Sequence, residues 1–256
     1  MTFKSKLLLA LLATSSAAFA QTAPAAPESA IAYNVGVVSE YRYRGLAQTK
    51  GDPALQGGVD YTNSNGFYAG AWASTIKWIK DSGTTNAGQS TKGPVELDIY
   101  GGYKFEAAGL GFDVGYLRYE YVGNTLKNNP AYTNANTDEI YGAATYGVTT
   151  LKYSYALSDL FGNINSKGSV YWDLSATFDL GNGYTIVPHA GHQTVKNNPN
   201  SYTDIALTLN KDLGDGWSAS ISAISTNGKG KGPFASSLTS YDTAKNATVI
   251  GVKYSF

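Results

Sequence analysis

Two histidines, His189 and His192, are the chain's only imidazoles. Either type of chemistry they suggest, proton transfer or metal ligation, needs converging partners. Their i, i+3 spacing within an alternating segment instead puts them on opposite faces of a strand. That argues against a shared metal site. By parity His189 faces an interior and His192 an exterior near a rim. His192 with Ser169 or Ser201, which start neighbouring segments, outlines a conceivable rim hydrolase or acyl-transfer site. That chemistry needs three mutually oriented groups, and rim polar side chains are the simpler reading. There is no cysteine, which excludes disulfides, thiolate metal sites and thiol nucleophiles. No Gly-x-Ser-x-Gly elbow occurs. Gly228, Gly230 and Gly232, interleaved with lysine, lack the strand-to-helix context of a phosphate loop. The chain reads as no enzyme, with no catalytic residue, metal site or cofactor.

Charge placement says more. Acids fall at interior or near-rim positions: Glu40, Asp60, Glu96, Asp98, Glu106, Asp113, Glu139, Asp173, Asp179 and Asp204. Arg42, Arg44, Lys104, Lys152 and Lys253 are the bases of the same set. Charges are costly against lipid, so these positions imply a wet interior. They form either a selectivity ring or a paired network that fills the lumen. The acidic excess predicts a mild preference for cations. Glu40, Arg42, Arg44, Asp60, Glu96, Asp98, Lys104 and Asp173 are the candidate pore-lining residues, with Glu40, Arg42 and Arg44 placed to constrict the path.

The elements that would position these groups are strands. Of 256 residues only 15% are charged, while Tyr occurs 20 times and Gly 29 times. Mean hydropathy is −0.22, and no segment past the start approaches eighteen consecutive apolar residues. A membrane could then be crossed only as a closed barrel, the one β structure that satisfies its own backbone. Period-2 segments fall at 31–44, 54–63, 66–78, 94–107, 110–122, 138–147, 149–160, 169–181, 184–193, 201–212, 217–226 and 246–256. Short turns and long loops alternate between them. The short turns are Ser64-Asn65-Gly66, Ala108-Gly109, Gly147-Val148, Asn182-Gly183 and Gly214-Asp215-Gly216. The long loops are 45–53, 79–93, 123–137, 161–168, 194–200 and 227–245. This predicts an all-β, antiparallel up-and-down transmembrane barrel of about twelve strands, with short periplasmic turns and long extracellular loops. A soluble periplasmic ligand-binding barrel would need the opposite alternation, apolar inside and polar outside.

Within the segments one face is apolar. Ile250, Val252, Tyr254 and Phe256 oppose Gly251, Lys253 and Ser255. In 110–122, Phe112, Val114 and Tyr116 share parity with Arg118 and Glu120, which predicts a bulge or a rim position near Leu117. Tyr61, Phe67, Phe105, Phe112, Tyr184 and Trp217 lie beside the short turns. Tyr43, Trp78, Tyr119, Tyr121, Tyr155, Trp172 and Tyr202 lie beside the long loops. Two interfacial girdles are expected.

Lys4 and Lys6, the apolar run Leu7 to Ala13, and Ala18-Phe19-Ala20 form a secretory signal pattern. Residues 1–20 are expected to be cleaved during Sec-type export, leaving a lead-in at 21–30 and a barrel at 31–256. Formal net charge is zero, which gives no footprint for nucleic acid. Terminal Phe256, with Tyr254 at alternate position, is the candidate signal to the barrel-assembly machinery. The loop lysines offer contacts to lipopolysaccharide phosphates.

The chain resembles the TorF family of porins. The likeness is most specific in Ser39-Glu40-Tyr41-Arg42-Tyr43-Arg44-Gly45, Gln48-Thr49, Pro53 through Tyr61, and Gly66 through Ser74. Weaker similarity runs through Glu96 to Tyr100, Leu151 to Tyr155 and Gly251 to Phe256. Ala47 stands where that family often has Ser. The resemblance implies a porin-like role in a Gram-negative outer membrane and brings no catalytic residues. Passive diffusion of small hydrophilic solutes or ions is the expectation. A plugged structural or adhesive barrel acting through its loops is the alternative.

Overall fold

The computed structural model describes residues 30–83, 88–197, 201–228 and 242–256. The expected signal peptide at 1–20 lies outside the described residues. So do residues 21–29 of the lead-in and residues 229–241 of the last long loop.

Twelve strands close into one antiparallel barrel: β1 (Ala30–Val38), β2 (Ala54–Thr62), β3 (Phe67–Thr75), β4 (Val95–Ala107), β5 (Leu110–Val122), β6 (Thr137–Tyr146), β7 (Thr149–Ala156), β8 (Val170–Ala176 with Phe178–Gly181), β9 (Tyr184–Thr194), β10 (Tyr202–Gly214), β11 (Trp217–Thr226) and β12 (Ala247–Ser255). The two pieces of β8 are one strand, since their register with β9 runs on across Thr177. Each strand pairs with its neighbours in sequence, and β12 pairs back onto β1 from Asn34↔Ser255 to Val38↔Gly251. Tyr33 N donates to Phe256 O at 2.9 Å and Phe256 N to Tyr33 O at 3.0 Å, finishing the seam. Closure leaves no sheet edge.

The short turns follow from their residues. Ala108-Gly109, Asn182-Gly183 and Asp215-Gly216 all adopt positive φ at both positions. That is the type I′ geometry whose twist matches paired strands.

The outer face is apolar and open. Ile31, Val35, Val37, Ile99, Ile140, Leu174, Ile205, Leu207, Ile221, Ile250 and Val252 are all exposed. Such a continuous belt suits lipid rather than water. At the short-turn end it finishes in stacked aromatics. Trp217, Tyr254, Phe256 and Tyr33 follow one another at ring separations of 4.9, 5.5 and 5.6 Å. Phe67, Tyr103, Phe105 and Phe112 form a second run at 4.7, 5.6 and 5.1 Å.

The long-loop end departs from expectation in two ways. First, β1 stops at Val38 rather than continuing to residue 44. Residues 40–49 turn into the barrel and are buried, with a small hairpin pairing Arg42–Tyr43 to Leu46–Ala47. Second, Tyr43, Trp78, Tyr119, Tyr121 and Tyr202 form no outer girdle. They are inward-facing and buried with Leu46, Ile79, Leu126, Leu160 and Phe161 in a loop-built core. Strand parity decides this, since 119 and 121 share the face of Leu117 rather than that of Tyr116. Among that expected set, Trp172 faces outward and is exposed. Of the two outcomes expected near Leu117, a bulge or a rim position, the structure shows the rim position, since β4 and β5 pair without a register shift from Val95↔Val122 to Ala107↔Leu110. Arg118 and Glu120 face outward at the rim, where Arg118 bonds both Glu120 and Asp138.

Inside, tyrosine rings lie flat in recesses left by glycine. A Cβ on Gly70 would meet the Tyr100 ring at 2.6 Å, on Gly102 the Tyr68 hydroxyl at 2.4 Å, on Gly115 the Tyr141 hydroxyl at 2.5 Å, and on Gly191 the Tyr171 hydroxyl at 1.9 Å. The absent side chain holds each ring against the wall. Gly191→Val should unseat Tyr171 and destabilise the barrel by about 1–3 kcal/mol, as overpacking does. The temperature at which the compact form is lost on unheated gels reads this out. No change would mean the ring is not seated there.

Candidate functional site

The candidate site is the lumen, and the inward hairpin is its centre. Arg44 and Gly45 form the hairpin tip with φ of 46° and 76°, the same turn chemistry as the short turns. Gly45 is required twice over, because a Cβ there would also sit 2.4 Å from Asp204 Cβ. The tip therefore reaches across the lumen from β1 to β10 and β6.

Arg44 is held from several sides. Its Nη1 and Nη2 donate to Glu139 Oε1 and Oε2 at 3.0 and 2.7 Å, a bidentate pair, and Nη1 also donates to Gln193 Oε1 at 2.8 Å. The guanidinium lies over Tyr171 and Tyr43 at 4.4 and 4.9 Å. Burial works against the Arg44 charge, but the Glu139 carboxylate and the Tyr43 and Tyr119 hydroxyls together outweigh it and hold the pKa well above the ordinary arginine value. Arg42 folds back on its own loop, donating from Nε to Glu40 Oε2 at 2.6 Å and from Nη1 to Gly45 O at 3.1 Å. Glu40, Arg42 and Arg44, the three expected to constrict the path, are thus buried together in the hairpin segment.

The hairpin also has apolar and polar seams. Tyr41 packs edge-on to Trp72 at 5.5 Å and donates its hydroxyl to Glu96 Oε1 at 3.1 Å. Burial, then the charges of Glu96 and Asp98, push the Tyr41 pKa well up, so the phenol stays protonated and remains a donor. Tyr43 touches Phe161 at 5.8 Å and hydrogen-bonds Tyr119. Gln48 O accepts from Lys77 and Trp78 N, tying the second long loop on top.

The other expected residues divide by height. Glu96 and Asp98 face the hairpin from β4, and Glu96 Oε2 and Asp98 Oδ1 accept no protein hydrogen bond. Asp173 pairs with His189, Asp173 Oδ2 lying 3.1 Å from His189 Nε2. Asp204 Oδ2 stands 3.6 Å from His189 Nδ1, and Asp204 also accepts from the Tyr171 hydroxyl. Nearer the short turns, Asp60 accepts from Tyr100, and Lys104 lies 5.1 Å over the Tyr68 ring. Tyr68 donates to Asp113 at 2.6 Å, and Lys152 sits 4.0 Å over Tyr141.

Sequence reasoning missed Glu139 and Gln193 as partners of Arg44. Nothing in their local pattern points to a group 95 or 149 residues away. It also missed the hairpin itself, although Arg44-Gly45 carries the X-Gly turn signature. His192 Nδ1 is 2.9 Å from Thr203 Oγ1 on the outward face. Ser169 is buried on the inward face, donating to Ser166 O at 2.6 Å. Of the two serines outlined from sequence, Ser169 therefore lies on the other side of the wall from His192. Among the described residues, no group of three or more His, Cys, Asp and Glu could hold a metal ion.

Solved outer-membrane proteins share this fold. The KdgM porin in complex with disordered oligogalacturonate superposes with a TM-score of 0.52 at 9% identity, covering 89% of this chain and 99% of that one. The NanC porin gives 0.51 at 12% identity, covering 88% and 99%. The COG4313 outer membrane channel from Pseudomonas putida F1 gives 0.50 at 12% identity, covering 90% and 95%. At these identities the likeness is one of fold. No curated protein matches the chain. A family model described as a bacterial protein of unknown function, Gcw_chp, matches residues 21–256, and the chain belongs to that family.

Proposed function

We propose that this protein is an outer-membrane channel for passive diffusion of small hydrophilic solutes or ions, closed in the present conformation by its first long loop. The observation that carries this reading is the contrast between the two halves of the lumen. The long-loop half is filled by an inward hairpin packed with residues of the other long loops, Ile79, Leu126, Leu160 and Phe161, and with the wall rings Tyr119, Tyr121 and Tyr202. The short-turn half is lined by polar side chains laid against the wall. Twelve strands stand between barrels that side chains can fill and barrels that leave an open pore. A removable stopper is one way such a barrel can be both tight and conductive. The likeness to TorF porins in Ser39 to Gly45 falls on that stopper.

The short-turn end would face the periplasm and the long loops the exterior, after Sec-type export across a Gram-negative inner membrane. Phe256 and Tyr254 lie in the aromatic run at the seam, the place where a strand signal to the assembly machinery would act. The outward rim and loop lysines would meet lipopolysaccharide. The rival reading, a permanently plugged structural or adhesive barrel, is favoured by the buried bidentate pair of Arg44 with Glu139.

Conductance in planar bilayers separates the two. Wild-type protein should show rare or small openings. Arg44→Ala leaves Glu139 buried without its cation, which costs about 3–5 kcal/mol at a buried pair. That cost falls on the closed state, so the variant should open far more often. Adding Glu139→Gln to it should restore closure in part. Silence from every variant, each folded by gel mobility, would favour the permanently plugged barrel. Deleting Phe256 should reduce assembly into the membrane without changing the conductance of the molecules that do assemble.

A further inference from the structure

The hairpin tip lands on a charged bridge. His189, inward on β9, stands between carboxylates of both neighbouring strands. Its Nε2 lies 3.1 Å from Asp173 Oδ2 on β8, and its Nδ1 lies 3.6 Å from Asp204 Oδ2 on β10. None of the three side chains is more than 6% exposed. A neutral imidazole carries one N–H, so its other nitrogen would turn a lone pair toward a carboxylate. With an acid at each nitrogen and no water, the arrangement fits an imidazolium. Tyr171 does not replace that charge. Its hydroxyl gives Asp204 one hydrogen bond, at 3.1 Å, and also stands 3.3 Å from His189 Nε2.

The surrounding groups favour the same state. Arg44 of the hairpin is bidentate to Glu139 on β6. Lys152 on β7 stands opposite Asp173 in the strand register. Arg44, Lys152 and a charged His189 balance Glu139, Asp173 and Asp204. Tyr202, buried on β10, brings no positive charge. On the β4 side Glu96 and Asp98 are further buried acids. The tip covers this bridge. A Cβ on Gly45 would stand 2.4 Å from Asp204 Cβ and 3.2 Å from its Cγ. The Arg44 guanidinium lies 4.4 Å over the Tyr171 ring.

We propose that the Asp173–His189–Asp204 bridge is a proton-operated catch on the hairpin, closed while His189 carries its second proton and released when that proton leaves at higher pH. The proposal rests on the channel reading above and adds its control. The sign follows from solvation. Losing the proton leaves two carboxylates and a neutral ring out of water, which disfavours the closed state. Lifting the tip uncovers Asp204 to water, so the open state accommodates the deprotonated bridge better. Closure is then complete at low pH and lost as pH rises through the titration of the bridge. One proton allows at most about a tenfold change in the ratio of open to closed channels per pH unit.

The test pairs conductance with the state of the ring. In planar bilayers, wild-type openings should grow more frequent as pH is raised from about 6 to about 10. His192 is exposed on the outer face, so His192→Gln leaves His189 as the one imidazole. Ring-nitrogen NMR of that variant should show His189 doubly protonated in the closed protein, losing a proton over the range where openings begin. His189→Gln, which carries no charge, should open often at every pH. Asp204→Asn should stay closed at every pH and, added to His189→Gln, should restore closure, a rescue that a merely structural histidine would not give. Wild type and His189→Gln opening alike at every pH, or a singly protonated His189 in the closed protein, would overturn the catch and leave the channel reading standing. Silence from every folded variant, Arg44→Ala included, would overturn both.

Discussion

In hydrocarbon a strand cannot leave its amides and carbonyls unpaired, because each orphan costs several kcal/mol and no water is present to take its place. The seam between β12 and β1, closed by the reciprocal Tyr33 and Phe256 bonds, removes the last free edge. Most of the remaining structure follows from that closure. A closed antiparallel sheet has an inside and an outside. Period-2 alternation then sorts every side chain between them. Apolar residues go out along the belt, and charge goes in. Strand charges that face outward sit at the rims and are paired or stacked there: Arg118 bonds Glu120 and Asp138, and Lys211 lies over the Tyr184 ring.

Closure fixes the wall and leaves the volume inside it to be settled. The tyrosine side solves the problem with rings laid over glycines, which turn bulky residues into wall lining. The loop end solves it with an inserted hairpin. Its buried ion pair gains little net stability, since taking both charges out of water offsets much of their attraction. What the Arg44–Glu139 pair supplies is position. The apolar contacts of Leu46, Tyr41 and Tyr43 supply the cohesion. An assembly stabilised in this way can be released by removing one partner, which is why the hairpin reads as a stopper rather than as core.

Much of the wall was legible in the sequence because its rule is simple. Alternation, X-Gly turns and the spacing of long loops give the strands, their count and their faces. The placing of His189 inward and His192 outward follows from parity alone. The interior was less legible, for a physical reason. Residues beside long loops have two places to go, the outer interface or the lumen, and abundance of Tyr does not choose between them. Parity would have chosen for Tyr119 and Tyr121. The hairpin at Arg44-Gly45 had a turn signature, but its direction depends on Glu139, Gln193 and Asp204, which sequence spacing does not connect.

The most direct test of the central claim is to unseat the hairpin tip. A Cβ at Gly45 would lie 2.4 Å from Asp204 Cβ, so Gly45→Val leaves the tip no room against β10 while altering no residue of the strands. Conductance of the folded variant should rise well above that of the wild type. Equal conductance of the two proteins, both folded by gel mobility, would show that releasing the tip opens no path, and the hairpin would then not be the gate.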